Sequence, residues 1–276
     1  MYSRAYVEIT NICNRSCSFC PKTRRDPRSV TMEEFAHIAR SIAPVTDYLY
    51  YHVMGEPLTH PLLPDFIRYA SSLGLKSAVT TNGTLLSKRG TELIESNVYK
   101  VNISVHSFES GSEASYEEYI LSCLDFADKA SRRGVLVVLR LWNRGATDTK
   151  NTDTERMIYE RFGEPEQVSS RGARLRRGLH LEYGDRFVWP DMRETDMGDS
   201  VFCHGLGDHF GILSDGSVIP CCLDHEGDIT LGNVFCEPLE AILSSERAEA
   251  IRNGFRHKKA SEELCRKCSY ARRFKI

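Results

Sequence analysis

Cys13, Cys17 and Cys20 stand in the order C-x3-C-x2-C within EITNICNRSCSFCPKTRR. Three thiolates on one tight loop suffice for three irons of a cubic iron–sulfur cluster. The fourth iron is then without a protein ligand and open to an outside molecule, which points to chemistry more than to electron storage. Zinc fits less well, because it asks for four ligands and this loop has no histidine nearby.

A second set lies far downstream. Cys203, Cys221, Cys265 and Cys268 follow C-x17-C-x43-C-x2-C, and Cys222 beside Cys221 could take its place. Four cysteines closing on a CxxC suit a structural zinc ion or an iron–sulfur cluster alike. Four protein ligands would saturate a cluster, so its use there would be electron transfer, which favours a net two-electron oxidation. The remaining cysteines need no special role. Cys123, in YILSCLDFADKA, reads as a small buried hydrophobe on a helix.

The elements that must position these residues follow a βα rhythm. Residues 4–9 read as a strand feeding the first cysteine loop. Thr31 and Glu34 form a capping box ahead of an apolar face made by Phe35, Ile38, Ala39 and Ile42. Strands are expected at 47–53, 75–81, 98–105 and 135–142, with a sixth near 179–189. Helices are expected around 62–73, 85–96 and 116–132. VLVVLRLW at 135–142 is nearly continuous and apolar, as suits a strand buried on both faces. Residues 143–178 are polar, with a short helix at 152–162 and a loop at SSRGARLRRG. Six of the ten cysteines lie beyond residue 200. There short strands, a hairpin turn at Ser214-Asp215-Gly216 and a helix around 238–252 suggest a separate module.

With 41% hydrophobic and 27% charged residues, the 276-residue chain has the balance of a globular protein. No apolar run is long enough to span a membrane, and the first residues lack the pattern of a signal peptide. A cytoplasmic location is therefore expected. A net charge of -2 argues against a dedicated nucleic-acid binder.

The first loop, with Phe19 before its third cysteine and a strand ahead of it, resembles the radical S-adenosylmethionine (SAM) enzymes. Gly55-Glu56-Pro57 resembles their GGE-type segment, with Met54 in place of the first glycine. Thr81-Asn82-Gly83 resembles a turn found after their third strand. The resemblance implies a partial (β/α)6 TIM-like barrel over 1–199. It makes Cys13, Cys17 and Cys20 the ligands of a 4Fe–4S cluster whose open iron chelates SAM. The product of SAM cleavage would be a 5′-deoxyadenosyl radical that abstracts hydrogen from substrate. Gly55, Glu56, Asn82, Ser104 and Asn143 become SAM contacts. Residues 200–276, with Gly216 to Cys221 and Leu231-Gly232-Asn233, resemble the Twitch form of the SPASM extension. Its second 4Fe–4S cluster would use Cys203, Cys221, Cys265 and Cys268.

Substrate chemistry is open to several residues. Arg140 is a charge inside an apolar run, expensive to bury unpaired. Glu182 and Asp185 could take a proton from a substrate radical. His106 reads as structural. The expected activity is oxidation of a small molecule, with a flavodoxin- or ferredoxin-type electron donor. A maturase acting on a peptide is the alternative, and a non-enzymatic zinc or iron–sulfur scaffold a third reading.

Overall fold

The βα rhythm is realised in a computed structural model that describes residues 1–108, 115–146 and 150–274. The elements are β1 (Arg4–Val7), α1 (Met32–Ile42), β2 (Tyr48–Tyr51), α2 (Leu63–Ser72), β3 (Lys76–Thr81), α3 (Leu86–Glu95) and β4 (Lys100–Ile103). Next come α4 (Tyr116–Arg132), β5 (Leu136–Arg144), α5 (Asn151–Phe162), β6 (Gln167–Ser169), β7 (Gly172–Arg176) and β8 (Leu179–Asp185). The last are β9 (His209–Ile212), β10 (Ser217–Ile219), β11 (Gly232–Asn233), α6 (Leu239–Leu243), α7 (Glu246–Arg256) and α8 (Glu263–Arg266). The chain forms two compact units. One joins Met1–Glu56, Tyr69–Leu75 and Phe187–Ile276, and the other joins Pro57–Arg68 and Lys76–Arg186.

In the first unit β1 is parallel to both β2 and β9, while β10 and β11 continue antiparallel from β9. Side chains alternate between faces of a strand. Ala5, Val7, Leu49, Tyr51, Phe210 and Ile212 are fully buried on one face. There Phe35 of α1 stacks on Tyr51 with ring centroids 5.9 Å apart. The expected capping box starts α1, with Thr31 accepting from Glu34 N–H and Glu34 accepting from Thr31 N–H. Arg4, Tyr6, Tyr50 and His209 occupy the opposite, polar face. The turn at 214–216 joins β9 to β10 as the sequence predicts, and its Gly216 has φ +88°.

In the second unit β3, β4, β5 and β8 are parallel neighbours, and β7 and β6 extend β8 antiparallel. One face carries Val79, Val101, Val137 and Leu179, then Thr81, Ile103, Leu139 and Leu181, all buried. The other face is more polar: Thr80, Asn102, Val138 and His180 in one row, then Arg140 beside Glu182.

Three expectations need correction. SSRGARLRRG is not a loop but the β6–β7 hairpin. Its arginines alternate with buried Ala173 and Leu175, and Arg176 pairs with Asp128 at 2.5 Å. The helix at 238–252 is two helices, because Ser245 turns inward to cap α7 by accepting from Ala248 N–H. Ser104 lies one residue past β4. His106 sits in a 3-10 turn, Val105–Ser107. Among the described residues no helix is long and apolar enough to cross a membrane.

Candidate functional site

In the first unit the three-cysteine loop leaves the end of β1 and is pinched shut at its base. Asn11 N–H donates to the Arg28 carbonyl at 3.2 Å, and Val30 N–H to that of Ile9 at 2.9 Å. The Asn11 side chain accepts from Arg28 N–H and donates to the Asp26 carbonyl, both at 2.8 Å. Within the loop Cys20 N–H donates to the Cys17 carbonyl at 3.2 Å. Cys13 is exposed, Cys17 and Cys20 partly so. Burial raises the Cys20 thiol pKa, against the pull of Lys22.

The Gly55 turn is docked on this loop. Glu56 N–H donates to the Ile12 carbonyl at 3.0 Å. Gly55 has φ +76°, and a Cβ there would lie 2.3 Å from the Thr10 carbonyl oxygen and 2.9 Å from that of Ile12. Only glycine permits this approach. Glu56 is buried beside the loop at 2% exposure.

The same unit gathers the second cysteine set. The Cys221 thiol is raised well above its ordinary range by burial and by the proximity of Cys222, Cys203, Cys265 and Cys268. Cys265 is raised likewise by burial, Cys203 and Cys268. Burial also raises Cys203 and Cys268. Cys222 lies close enough to Cys221 and Cys203 to interact with both, and its thiol has further contacts. It accepts a hydrogen bond from the Tyr6 hydroxyl, burial holds it at about 11, and it packs with Cys20 on Val53, Met54, Leu213 and Ile219. Among the described residues no three His, Cys, Asp or Glu side chains stand in metal-holding geometry. The four thiols thus share a neighbourhood without a finished coordination shell. A soft metal would displace the protons of such clustered thiols into solution by binding the thiolates, so the donor set fits a thiolate-bound group.

In the second unit Asn82 and Ser104 follow the ends of β3 and β4, and Asn143 is the next-to-last residue of β5. Tyr119 of α4 braces two of them: its hydroxyl stands 2.7 Å from the Asn82 carbonyl and 3.2 Å from that of Ser104. A Cβ on Gly83 would meet the Cys123 sulfur at 2.7 Å, so Cys123 is the small residue under this turn. The His106 Nδ1 lies 3.0 Å from the Arg140 carbonyl, and burial lowers its pKa, in keeping with a structural role.

β5 carries a bulge. Leu141 pairs with Tyr183 and Arg144 with Asp185, so Trp142 and Asn143 face Gly184 alone. Bulges re-aim side chains. A Cβ on Gly184 would lie 2.8 Å from the indole, so this glycine makes room for Trp142. The Arg140 guanidinium lies 4.5 Å over that ring, and its Nε is 3.6 Å from Glu182. The Arg140 Nε, the Trp142 indole N–H and the Asn143 side-chain oxygen are buried without a hydrogen-bond partner. Asp185 ends β8 and is exposed. Sequence reasoning missed Trp142 and Tyr119, whose only signal is a polar tip on an aromatic otherwise suited to a core.

Comparison with known proteins matches residues 7–142 to the radical SAM superfamily and residues 203–269 to SPASM, an iron–sulfur cluster-binding domain. The chain belongs to the radical SAM superfamily and carries a C-terminal SPASM domain. Its cofactors are accordingly SAM, a 4Fe–4S cluster and an auxiliary iron–sulfur cluster. A probable GTP 3′,8-cyclase of Methanocella arvoryzae is 34% identical over 105 residues, 37% of this chain and 34% of that protein. An AdoMet-dependent heme synthase of Oleidesulfovibrio alaskensis is 28% identical over 102 residues, 36% of this chain and 26% of that one. The chain thus spans about a third of the length of the curated relatives it matches. The structure of BtrN in complex with AdoMet and 2-DOIA superposes with a TM-score of 0.61 at 17% identity, covering 97% of this chain and 93% of BtrN. Streptococcus suis SuiB bound to precursor peptide SuiA gives 0.61 at 14%, covering 98% and 71%. These likenesses share the mixed α/β fold with parallel strands that the sequence predicts.

Proposed function

We propose that the protein is a radical SAM oxidoreductase that acts on a small molecule by hydrogen abstraction, with residues 1–199 as its catalytic part and 200–276 as its electron-handling part. A 4Fe–4S cluster on Cys13, Cys17 and Cys20 supplies the electron for SAM cleavage, and one on Cys203, Cys221, Cys265 and Cys268 supplies an electron sink or relay. The docking of the Gly55 turn on the three-cysteine loop carries this reading. It brings Glu56 beside that loop, and a carboxylate suits the ammonium of SAM. Asn82 and Ser104, braced by Tyr119, and Asn143 take the rest of SAM. Arg140 orients the substrate, and Glu182, 37% exposed and held only loosely by Arg140, receives its proton, with Asp185 as the further candidate. BtrN, held with 2-DOIA and covered over 93% of its length, favours a small molecule. A cytoplasmic setting and a flavodoxin- or ferredoxin-type donor complete the proposal.

Anaerobic reconstitution tests it. The intact chain should hold about eight irons and release 5′-deoxyadenosine when reduced with SAM. Replacing Cys13, Cys17 and Cys20 by alanine should halve the iron and abolish release. Cys265→Ser with Cys268→Ser should halve the iron, spare some release and stop product formation. Cys221→Ser should act like the latter pair, and Cys222→Ser should not. Zinc without iron in the reconstituted chain would sink the reading. A peptide maturase is the second reading, favoured by the likeness to SuiB bound to SuiA. A mass shift on a peptide substrate would select it.

A further inference from the structure

Glu8 is a buried carboxylate of the first unit that accepts five hydrogen bonds. It stands one residue beyond β1, on the polar face that carries Arg4 and Tyr6, with its side chain fully shielded from solvent. Arg25 grips it in a two-pronged pair, Nη1 to Oε1 at 2.8 Å and Nη2 to Oε2 at 2.6 Å. Ser214 donates to Oε1 from its hydroxyl at 2.9 Å and its N–H at 3.2 Å. Met54 N–H donates to Oε2 at 3.2 Å. Five donors, two of them from one guanidinium cation, offset the cost of burying the charge.

The donors come from three places. Arg25 lies on the arm that leaves the three-cysteine loop. Met54 opens the Gly55-Glu56 turn. Ser214 lies in the hairpin turn of the C-terminal module, seven residues before Cys221. The same arm is tied to that module again. Arg25 Nε donates to the His225 carbonyl at 3.0 Å, Arg28 Nε to the Ser214 carbonyl at 2.7 Å, and Arg24 N–H to Glu226 at 3.0 Å. The module therefore touches the arm of the first cysteine loop through residues next to its own cysteines.

We propose that Glu8 is a positioning residue: its carboxylate clamps the N-terminal cysteine loop and the Gly55-Glu56 turn to the C-terminal module, so that order in one cysteine set sustains order in the other. A carboxylate is required. Glutamine would turn an NH2 group toward either Arg25 Nη2 and Met54 N–H or Arg25 Nη1 and the two Ser214 donors, and some donor would lose its partner. The clamp rests on the cluster reading only for its purpose, because its bonds join backbone and side chains whatever the cysteines hold.

Amide hydrogen exchange on the reconstituted full chain tests it. In Glu8→Gln, exchange over 11–30, over 53–56 and over 213–217 should rise together by about tenfold or more, while amides of β4 and β5 in the other unit stay protected. Cys265→Ser with Cys268→Ser should raise exchange over 11–30 in the parent chain. In the Glu8→Gln background it should add little, because coupled sites are not additive. Arg25→Lys, which keeps the charge and loses the fork, should fall between. If Glu8→Gln does not fold, Ser214→Ala should loosen the same three segments several-fold. Loosening confined to 53–56, or effects of Glu8→Gln and the cysteine pair that simply multiply, would overturn the clamp. Neither outcome depends on SAM cleavage, so a failed clamp and a failed enzyme reading are told apart.

Discussion

The carboxylate of Glu8 and the bulged end of β5 are both buried polar places, and they are built in opposite ways. At Glu8 five donors converge on two oxygens. At the bulge the Arg140 Nε, the Trp142 N–H and the Asn143 oxygen have no hydrogen-bond partner. Burying an unmet polar atom costs about 1–3 kcal/mol. A network that is complete in the resting protein fixes positions. A set of unmet donors and acceptors on neighbouring residues is poised for a molecule that arrives later. The two places thus differ in satisfaction: the Glu8 carboxylate is fully met, and three polar atoms at the β5 bulge are not.

The sharpest way to break the complete side is at Gly55. Gly55→Ala adds a Cβ that collides with two backbone oxygens at a residue of φ +76°. Loss of about 3 kcal/mol is expected, with a fall of several degrees in Tm and at least tenfold weaker SAM binding by equilibrium dialysis. Gly74→Ala is the control. Its φ is +84°, but no atom lies within 4 Å of the added Cβ, so only the backbone cost of about 1 kcal/mol remains. Equal effects at the two glycines would show that docking on the cysteine loop contributes nothing.

Much of this was legible from sequence, and the reason lies in periodicity and spacing. The capping box at Thr31, the helix at 116–132 and the parallel strands through β8 follow from local patterns that tertiary contacts did not override. The cysteine sets were legible because ligand spacing is a local code. What was hidden is long-range. Glu8 meets Ser214 across 206 positions, and nothing in AYVEIT announces it. The β6–β7 hairpin was hidden because four arginines between 171 and 177 mask the alternation of Ala173 and Leu175. Ser245 broke a helix that its apolar pattern alone would continue. Bulges such as that of β5 depend on a partner strand and leave no mark in their own segment.

Acid tests the complete side more gently. His209 lies edge-on to Tyr6, ring centroids 5.4 Å apart. Burial lowers its imidazole to about 4, although Asp208 pulls the other way. Its ordinary value is about 6.5. The fold therefore keeps His209 neutral where the unfolded chain would bind a proton. That stability is whole above pH 6.5 and is lost as pH falls from there toward 4, by at most about 3 kcal/mol. Asp208 acts lower. Hydrogen bonds from Ser3 and Arg4 outweigh burial and bring it to about 2, so its share disappears only below its ordinary 3.8. Denaturant midpoints across pH should fall between 6.5 and 4 in the parent chain and fall less steeply in His209→Gln, where His106, His180 and His225, also lowered by burial, still contribute. A parent curve flat over that window would mean the imidazole is not held neutral.

The smallest effect is expected where the polar atoms are unmet. Trp142→Phe removes an indole N–H that donates to nothing in the resting protein. It weakens the contact with the Arg140 guanidinium 4.5 Å away, a loss of about 0.5–1 kcal/mol. It also removes an unsatisfied buried donor, a gain of similar size. The two nearly cancel, so the unfolding free energy should move by no more than about 0.5 kcal/mol. Substrate should notice far more. If the N–H completes its hydrogen bond on a bound ligand, KM should rise about tenfold, equivalent to about 1.4 kcal/mol, with SAM affinity unchanged. A loss of more than about 2 kcal/mol in the resting protein, with KM untouched, would instead make the tryptophan a packing residue, and the difference between the two buried polar places would disappear.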